Sequence, residues 1–149
     1  MNADVPPFPR CRAVADHALL VEFGDVIAGE INDRVRALDA ALSEKPFTGF
    51  TEAVPAYCSL LVAFDPIVTD HRLAETAVRE LIARASPTPP RGTTREVLVC
   101  YDSDLAPDLA QVATRTGLSA EAVIAAHLSG DYRVFMYGFA PGFAYLAGV

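Results

Sequence analysis

One stretch of this chain combines residue types and spacing that suit a small-molecule site. It runs from Tyr132 to Leu146 and reads YRVFMYGFAPGFAYL. Gly138 and Gly142 permit backbone angles, or a close approach, that a β-carbon forbids. Pro141 fixes its own φ and biases Ala140 toward extended geometry. Phe139, Phe143 and Tyr145 alternate with small residues. Such a loop can be rigid, can expose amide N–H groups and can present a flat apolar wall, all useful in a pocket or a subunit interface. The same residues also suit an ordinary tight turn with a hydrophobic plug.

Few other residues combine into recognisable chemistry. Tyr137 and Tyr145 flank the loop, and either hydroxyl can bind substrate or be satisfied in a core. His127 lies four residues after Val123, on a helix face with Ala120 and Ile124. It reads either as a satisfied core or capping histidine, or as a polar group directed into a pocket beneath the glycine loop. Tyr57, in the run PAYCS, reads as core packing or as support for the site. Asp131 and Arg133 read as solvated charges, and His17 and His71 as surface residues outside any constellation. Cys58 and Ser59 have no base near them in sequence, so neither is named as a nucleophile. Cys11, Cys58 and Cys100 lack metal-ligand spacing and the histidines are far apart, so no metal site and no disulfide framework is expected. The cysteines read as small buried residues in a reducing compartment. Neither GxxxxGK[ST] nor GxGxxG occurs, so no phosphate cradle is supported by motif.

The elements that must position the loop follow from periodicity. Ala18 to Phe23 reads as a strand with Leu19, Val21 and Phe23 on one face. Glu30 to Leu42 reads as a helix with Ile31, Val35, Leu38 and Leu42 on its apolar stripe, while Asn32, Asp33, Arg36 and Asp39 face water. Phe50 to Val54 and Ser59 to Phe64 read as strands, the latter apolar enough to be covered on both sides. Leu73 to Ala85 reads as a second helix, with Leu73, Ala77, Leu81 and Ala85 on one stripe beside Val78 and Ile82. This order is most of a split βαβ, ferredoxin-like layer. Its remaining strand comes from Arg10 to Val14 or from Glu96 to Tyr101, and pattern does not decide which. The prolines and glycine between Ser86 and Thr94 mark a domain boundary. Beyond it a strand (Glu96 to Tyr101), a helix (Leu105 to Thr116) and a helix capped by Ser119 and running through Leu128 precede the strand Tyr132 to Tyr137.

Hydrophobic residues at 52% and charged residues at 21% supply a packed core and exclude a disordered chain. The net charge of −7 opposes nucleic-acid binding, which needs a basic field. No apolar run approaches the roughly 20 residues that span a bilayer. The N-terminal residues have no basic region followed by an apolar one, so no signal peptide is read and a cytoplasmic location is expected. The segment after the proline-rich stretch is thin for a second core, so strands beyond Val149 are expected.

The run HLSGDYRVFMYGFAPGFAYLAGV (His127 to Val149) resembles the signature of the KipI-like, allophanate-hydrolase-subunit-1 family, which includes the B subunit of 5-oxoprolinase. LLVEFGD (Leu19 to Asp25), VPAYCSLLVAFDP (Val54 to Pro66), VCYDSDLAPDLAQVA (Val99 to Ala113) and LSAEAVIAAH (Leu118 to His127) agree with it in order. The resemblance implies an α+β protein: a ferredoxin-like layer over residues 1–86, a linker at 87–94, and over 95–149 the beginning of a cyclophilin-like β-barrel, incomplete here. It implies that Gly138, Phe139, Pro141, Gly142 and Phe143 line the substrate pocket. No catalytic residue is assigned; His127, Tyr137 and Tyr145 are the candidates. The activity implied is ATP-dependent hydrolysis of 5-oxoproline to glutamate, with a larger homologous carboxyltransferase-type subunit and a third, lactam-utilisation subunit. ATP is implied by resemblance alone. The alternatives within the family are a carboxyltransferase or allophanate-hydrolase-type subunit acting on urea-like substrates, and an inhibitor of a sensor histidine kinase.

Overall fold

The computed structural model describes residues 7–84 and 92–148. The N-terminal residues 1–6, residues 85–91 with most of the proline-rich stretch, and Val149 lie outside the described residues. The chain divides into two compact units, residues 1–90 with 134–147, and residues 91–133 with 148–149.

The first unit is built on β1 (Arg10–Val14), β2 (Ala18–Glu22), α1 (Gly29–Glu44), β3 (Phe50–Pro55), β4 (Ser59–Phe64) and α2 (His71–Arg84). The strands form one antiparallel sheet in the order β1-β2-β4-β3. The strand left open by the sequence pattern is therefore Arg10–Val14, paired to β2 from Arg10 opposite Glu22 to Val14 opposite Ala18. Leu19 faces Val62 and Val21 faces Leu60 across β2 and β4, so one face carries an unbroken apolar band. Val35, Leu38 and Leu42 of α1 and Val78 of α2 close on that band. Their spacings of three and four residues keep them on one side of each helix.

Two expectations about the helices change. In α2 the buried residues are Ala74 and Val78, whereas Leu73 is exposed. Val78, Leu81 and Ile82 pack on the core as expected, and in the first turn Ala74 takes the place expected for Leu73, clustered with Leu19 and Phe64. In α1, Asn32 does not face water: it is 0% exposed. Helix α2 is started by Asp70, whose Oδ1 accepts from the Leu73 amide at 2.8 Å. Gly49, at φ 91°, turns the chain into β3, and its carbonyl accepts from the Asp65 amide at 2.8 Å.

The unit is completed by a hairpin made of β5 (Arg133–Tyr137) and β6 (Ala144–Ala147), of which all but Arg133 belong to it. Sequence pattern identifies β5 but reads β6 as loop. Phe135 of β5 is 5% exposed and belongs to the buried set.

The second unit contains α3 (Leu109–Thr116) and α4 (Ala120–Ser129). Helix α3 starts four residues later than Leu105, because Pro107 disfavours helical geometry in the residue before it. The chain ahead of it is held in a turn by bonds from the Leu105 and Ala106 amides to the Asp102 carbonyl. Gly117 at φ 72° ends α3, and the Ser119 hydroxyl accepts from the Ala122 amide at 3.2 Å to start α4. The expected strand from Glu96 to Tyr101 does not form. Its side chains favour a strand, but a strand forms only where a partner satisfies its backbone. Leu98 is instead 93% exposed.

Candidate functional site

The connection between β5 and β6 is two fused turns. The Ala140 amide donates to the Gly138 carbonyl at 2.7 Å, which closes a γ-turn on Phe139 at φ 65°. This positive-φ form is the rarer and strained one, and a bulky residue seldom occupies it. The Phe143 amide then donates to the Ala140 carbonyl at 3.0 Å. With Pro141 second and Gly142 third at φ 79°, this is the pattern of a type II turn. A third bond, from the Gly138 amide to the Phe143 carbonyl at 3.1 Å, closes the base.

The glycines act differently. A β-carbon on Gly142 would meet nothing within 4 Å, so the residue is required for its backbone angle. A β-carbon on Gly138 would lie 3.3 Å from the Tyr145 ring, a tight contact that the ring must yield by a few tenths of an ångström to admit. The amides of Gly138, Ala140 and Phe143 are committed to the loop's own turns. The loop accordingly offers ring surface more than an amide cradle.

That ring surface is continuous. Phe139, at the tip, is 91% exposed. Its ring lies 5.7 Å from that of Phe143, edge to face. Phe143 lies 5.3 Å from Tyr145, Tyr145 lies 6.2 Å from Tyr57, and Tyr57 lies 5.7 Å from the buried Phe135. Such spacings and tilts are the preferred aromatic geometry, at about 0.5–1.5 kcal/mol for each pair beyond area burial. The series joins the exposed loop to the core through the β3–β4 connection, where Tyr57 sits. The Tyr57 hydroxyl also donates to the Leu146 carbonyl at 3.4 Å, a long bond.

Beneath this series is Asn32. Its Nδ2 lies 3.3 Å from the carbonyls of Ala56 and Tyr57 and 3.4 Å from that of Phe135. Its Oδ1 is buried and has no partner among the described residues. Sequence reasoning misses this residue. Its signal is a polar side chain three residues before Val35, on the buried side of an otherwise apolar stripe.

The other residues singled out from sequence fall as follows. Tyr137 is exposed at the end of β5. His127 belongs to the second unit, on α4, where its Nδ1 hydrogen-bonds the Tyr101 hydroxyl and its carbonyl accepts from the Tyr132 hydroxyl at 2.9 Å. Both tyrosine rings pack against the imidazole. The histidine is exposed and is not a core residue. Sequence does not single out Tyr101, because it lies 26 residues from His127 in the chain. His71 is not a plain surface residue: its ring stands edge-on to Phe64 and its Nε2 is buried without a partner among the described residues. Cys58 donates its thiol to the Val26 carbonyl at 2.9 Å. Burial, and then the Asp25 carboxylate, push that thiol above its ordinary range, which favours a protonated donor over a nucleophile. Cys100 is exposed, contrary to the buried reading of the cysteines.

Residues 9–149 match the family described as carboxyltransferase domain, subdomain C and D. The chain is 36% identical over 147 residues to a Bacillus subtilis (strain 168) protein named as the B subunit of 5-oxoprolinase, covering 91% of this chain and 61% of that protein. It is 29% identical over 143 residues to a protein of the same name from Escherichia coli O157:H7, covering 94% of this chain and 63% of that protein. The chain thus spans less than two thirds of the length of these curated relatives. Among solved structures it is similar to TTHA0988, with a TM-score of 0.73 at 36% identity over 89% of this chain and 26% of that one. A second crystal form of TTHA0988 gives a TM-score of 0.71 at 37% identity, covering 88% of this chain and 24% of that one. From the match across residues 9–149 and the identity to these relatives, the chain belongs to the carboxyltransferase-domain family of subdomains C and D, the family of the 5-oxoprolinase B subunits.

Proposed function

We propose that this chain is a subunit of an ATP-dependent 5-oxoprolinase, and that the Gly138–Phe143 loop binds the lactam. The observation that carries the proposal is the aromatic series from Phe139 to Phe135, joined to the likeness to two proteins named as 5-oxoprolinase B subunits. The methylene face of a small cyclic amide matches a wall of ring edges and faces, and a loop fixed by two turns holds that wall in place without ordering cost at binding. Hydrolysis gives glutamate, with ATP hydrolysis offsetting the stability of the lactam.

Among the described residues nothing supports an ATP site: the sequence has no glycine-rich phosphate motif, and the amides of Gly138, Ala140 and Phe143 are occupied within their own turns. No step is therefore routed through ATP on this chain. A larger homologous carboxyltransferase-type subunit and a third subunit complete the proposed enzyme. Within it, residues 95–149 contribute to a cyclophilin-like barrel, and His127, Tyr137 and Tyr145 are the polar groups to test. The complex is proposed to work in the cytoplasm.

The test is co-expression with the neighbouring genes and an assay for ATP-dependent conversion of 5-oxoproline to glutamate. Turnover that disappears when this subunit is omitted supports the proposal. A well-assembled complex without turnover overturns it. The family's description as a carboxyltransferase domain favours a second reading, transfer of a carboxyl group to a urea-like acceptor. Its signature is carboxylation that requires a biotinylated partner chain.

A further inference from the structure

The loop proposed to bind substrate is strained and exposed, so something must hold its base. Phe139 occupies a positive-φ γ-turn at 91% exposure, and the ring itself gives little burial in return. Strain of this kind persists only where the surroundings over-determine it. Part of the hold is the ring series ending at Phe135. The other part lies below it, where three backbone carbonyls from two separate segments converge on one side chain.

That side chain is Asn32. The first turn of α1 delivers it to a position that is 0% exposed, three residues before the buried Val35. A buried amide is unfavourable unless its hydrogens are used. Its Nδ2 faces Ala56 O and Tyr57 O at 3.3 Å and Phe135 O at 3.4 Å. An amide nitrogen has two hydrogens, so three carbonyls share them, and each bond is long for that reason. The carbonyls belong to the two segments that the aromatic series also joins: the β3–β4 connection that carries Tyr57, and β5, which leads directly into Gly138. The interchanged assignment of the amide atoms would set an oxygen against three carbonyl oxygens, so the donor assignment stands.

We propose that Asn32 is the positioning residue of the Gly138–Phe143 loop: it fixes the root of β5 against the Tyr57 turn, and through them the tilt of the ring wall. This rests on the reading of that loop as the substrate-binding element. Asn32 acts on the loop through Phe135 and the Ala56–Tyr57 turn. The position demands donation and not volume. A leucine of similar size fills the site but donates nothing, and an aspartate of the same shape turns two oxygens toward the carbonyls once ionised.

The experiment compares the intact chain with Asn32→Leu and Asn32→Asp by amide hydrogen exchange, segment by segment, and then by 5-oxoproline turnover in the assembled complex. Exchange of the hairpin amides, 134–147, is expected to speed up by at least about tenfold in Asn32→Leu and further in Asn32→Asp, while the β2 and β4 amides stay protected. In turnover, a mis-set wall raises KM for 5-oxoproline more than it lowers kcat. If Asn32→Leu leaves hairpin exchange unchanged, or releases hairpin and sheet together, Asn32 is only a core residue and the positioning role is lost. If Asn32→Leu does not fold, exchange in Asn32→Asp decides alone, by whether release is confined to the hairpin. Hairpin release with unaltered KM would leave the positioning role standing and remove the loop from substrate binding. A raised KM with unchanged exchange would do the reverse.

Discussion

At Gly142 the backbone holds φ 79° with open space around the missing side chain. An added β-carbon there meets nothing within 4 Å, so the cost that can be assigned is the intrinsic penalty of the left-handed region, about 1–2 kcal/mol and more for a β-branched residue. Gly142→Val is therefore expected to break the second turn and abolish turnover, while the melting of the β1–β4 sheet is unchanged. Gly142→Asn, which tolerates that region, should keep a measurable rate. Turnover assays beside thermal melts check both. Asp39 on α1 offers a second residue-scale test. Burial raises its carboxyl above the ordinary range, with the Arg36 guanidinium pulling the other way. The folded state thus holds that proton more tightly than the unfolded chain. The linked stability is complete below pH 3.8 and is lost as pH rises through the raised folded value. Asn at this position keeps the neutral form at every pH. Asp39→Asn should raise Tm at neutral pH and have no effect in acid below pH 3.8, as melts across that range will show.

At the scale of elements, α1 is the member on which the layer depends. It contributes Val35, Leu38 and Leu42 to the core, each at most 1% exposed. Helix α2 fully buries only Ala74 and Val78. Leu38→Ala leaves a cavity in the core cluster that it shares with Leu60, Val62 and Val78, which neighbours refill only partly, at about 2–5 kcal/mol. The loss should appear in denaturant melts as a lower midpoint with an unchanged slope. Because Asn32 lies on the same helix, a shift of α1 should also disturb the hairpin, which links the stability of the layer to the loop. The hairpin itself is too short to stand alone: two strands in water are marginal. It is ordered here by Phe135, Tyr57 and Asn32, each contributed by a different segment.

Across the whole molecule, burial is uneven. Among the described residues, every fully buried large side chain belongs to the first unit. The helices of the second unit bury no residue completely, and Leu98, Leu105 and Leu128 are exposed there. Local opening free energy follows buried apolar contact. Limited proteolysis is expected to cut first within residues 92–108 of the second unit, and to leave a resistant fragment holding β1 to α2. A first cut inside the sheet would contradict this.

Much of the fold is legible without any tertiary structure. Ser59–Phe64 announces itself by a continuous apolar run, α1 by its repeat at Val35, Leu38 and Leu42, and α4 by Ser119 ahead of it. These signals are local, since period and capping depend on residues within a turn or two. The Gly-Phe-Ala-Pro-Gly-Phe loop is equally legible, because φ restrictions at Pro141 and Gly142 belong to the residues themselves. What needs the tertiary structure is partner choice. Arg10–Val14 joins the sheet as an edge strand and Glu96–Tyr101 does not, because a strand is defined by the backbone beside it and both segments have suitable side chains. Asn32 reads in sequence as facing water, because on a helix surface an asparagine belongs there. Only the fold brings the carbonyls of Ala56, Tyr57 and Phe135, as far as 103 residues away in the chain, to meet its amide.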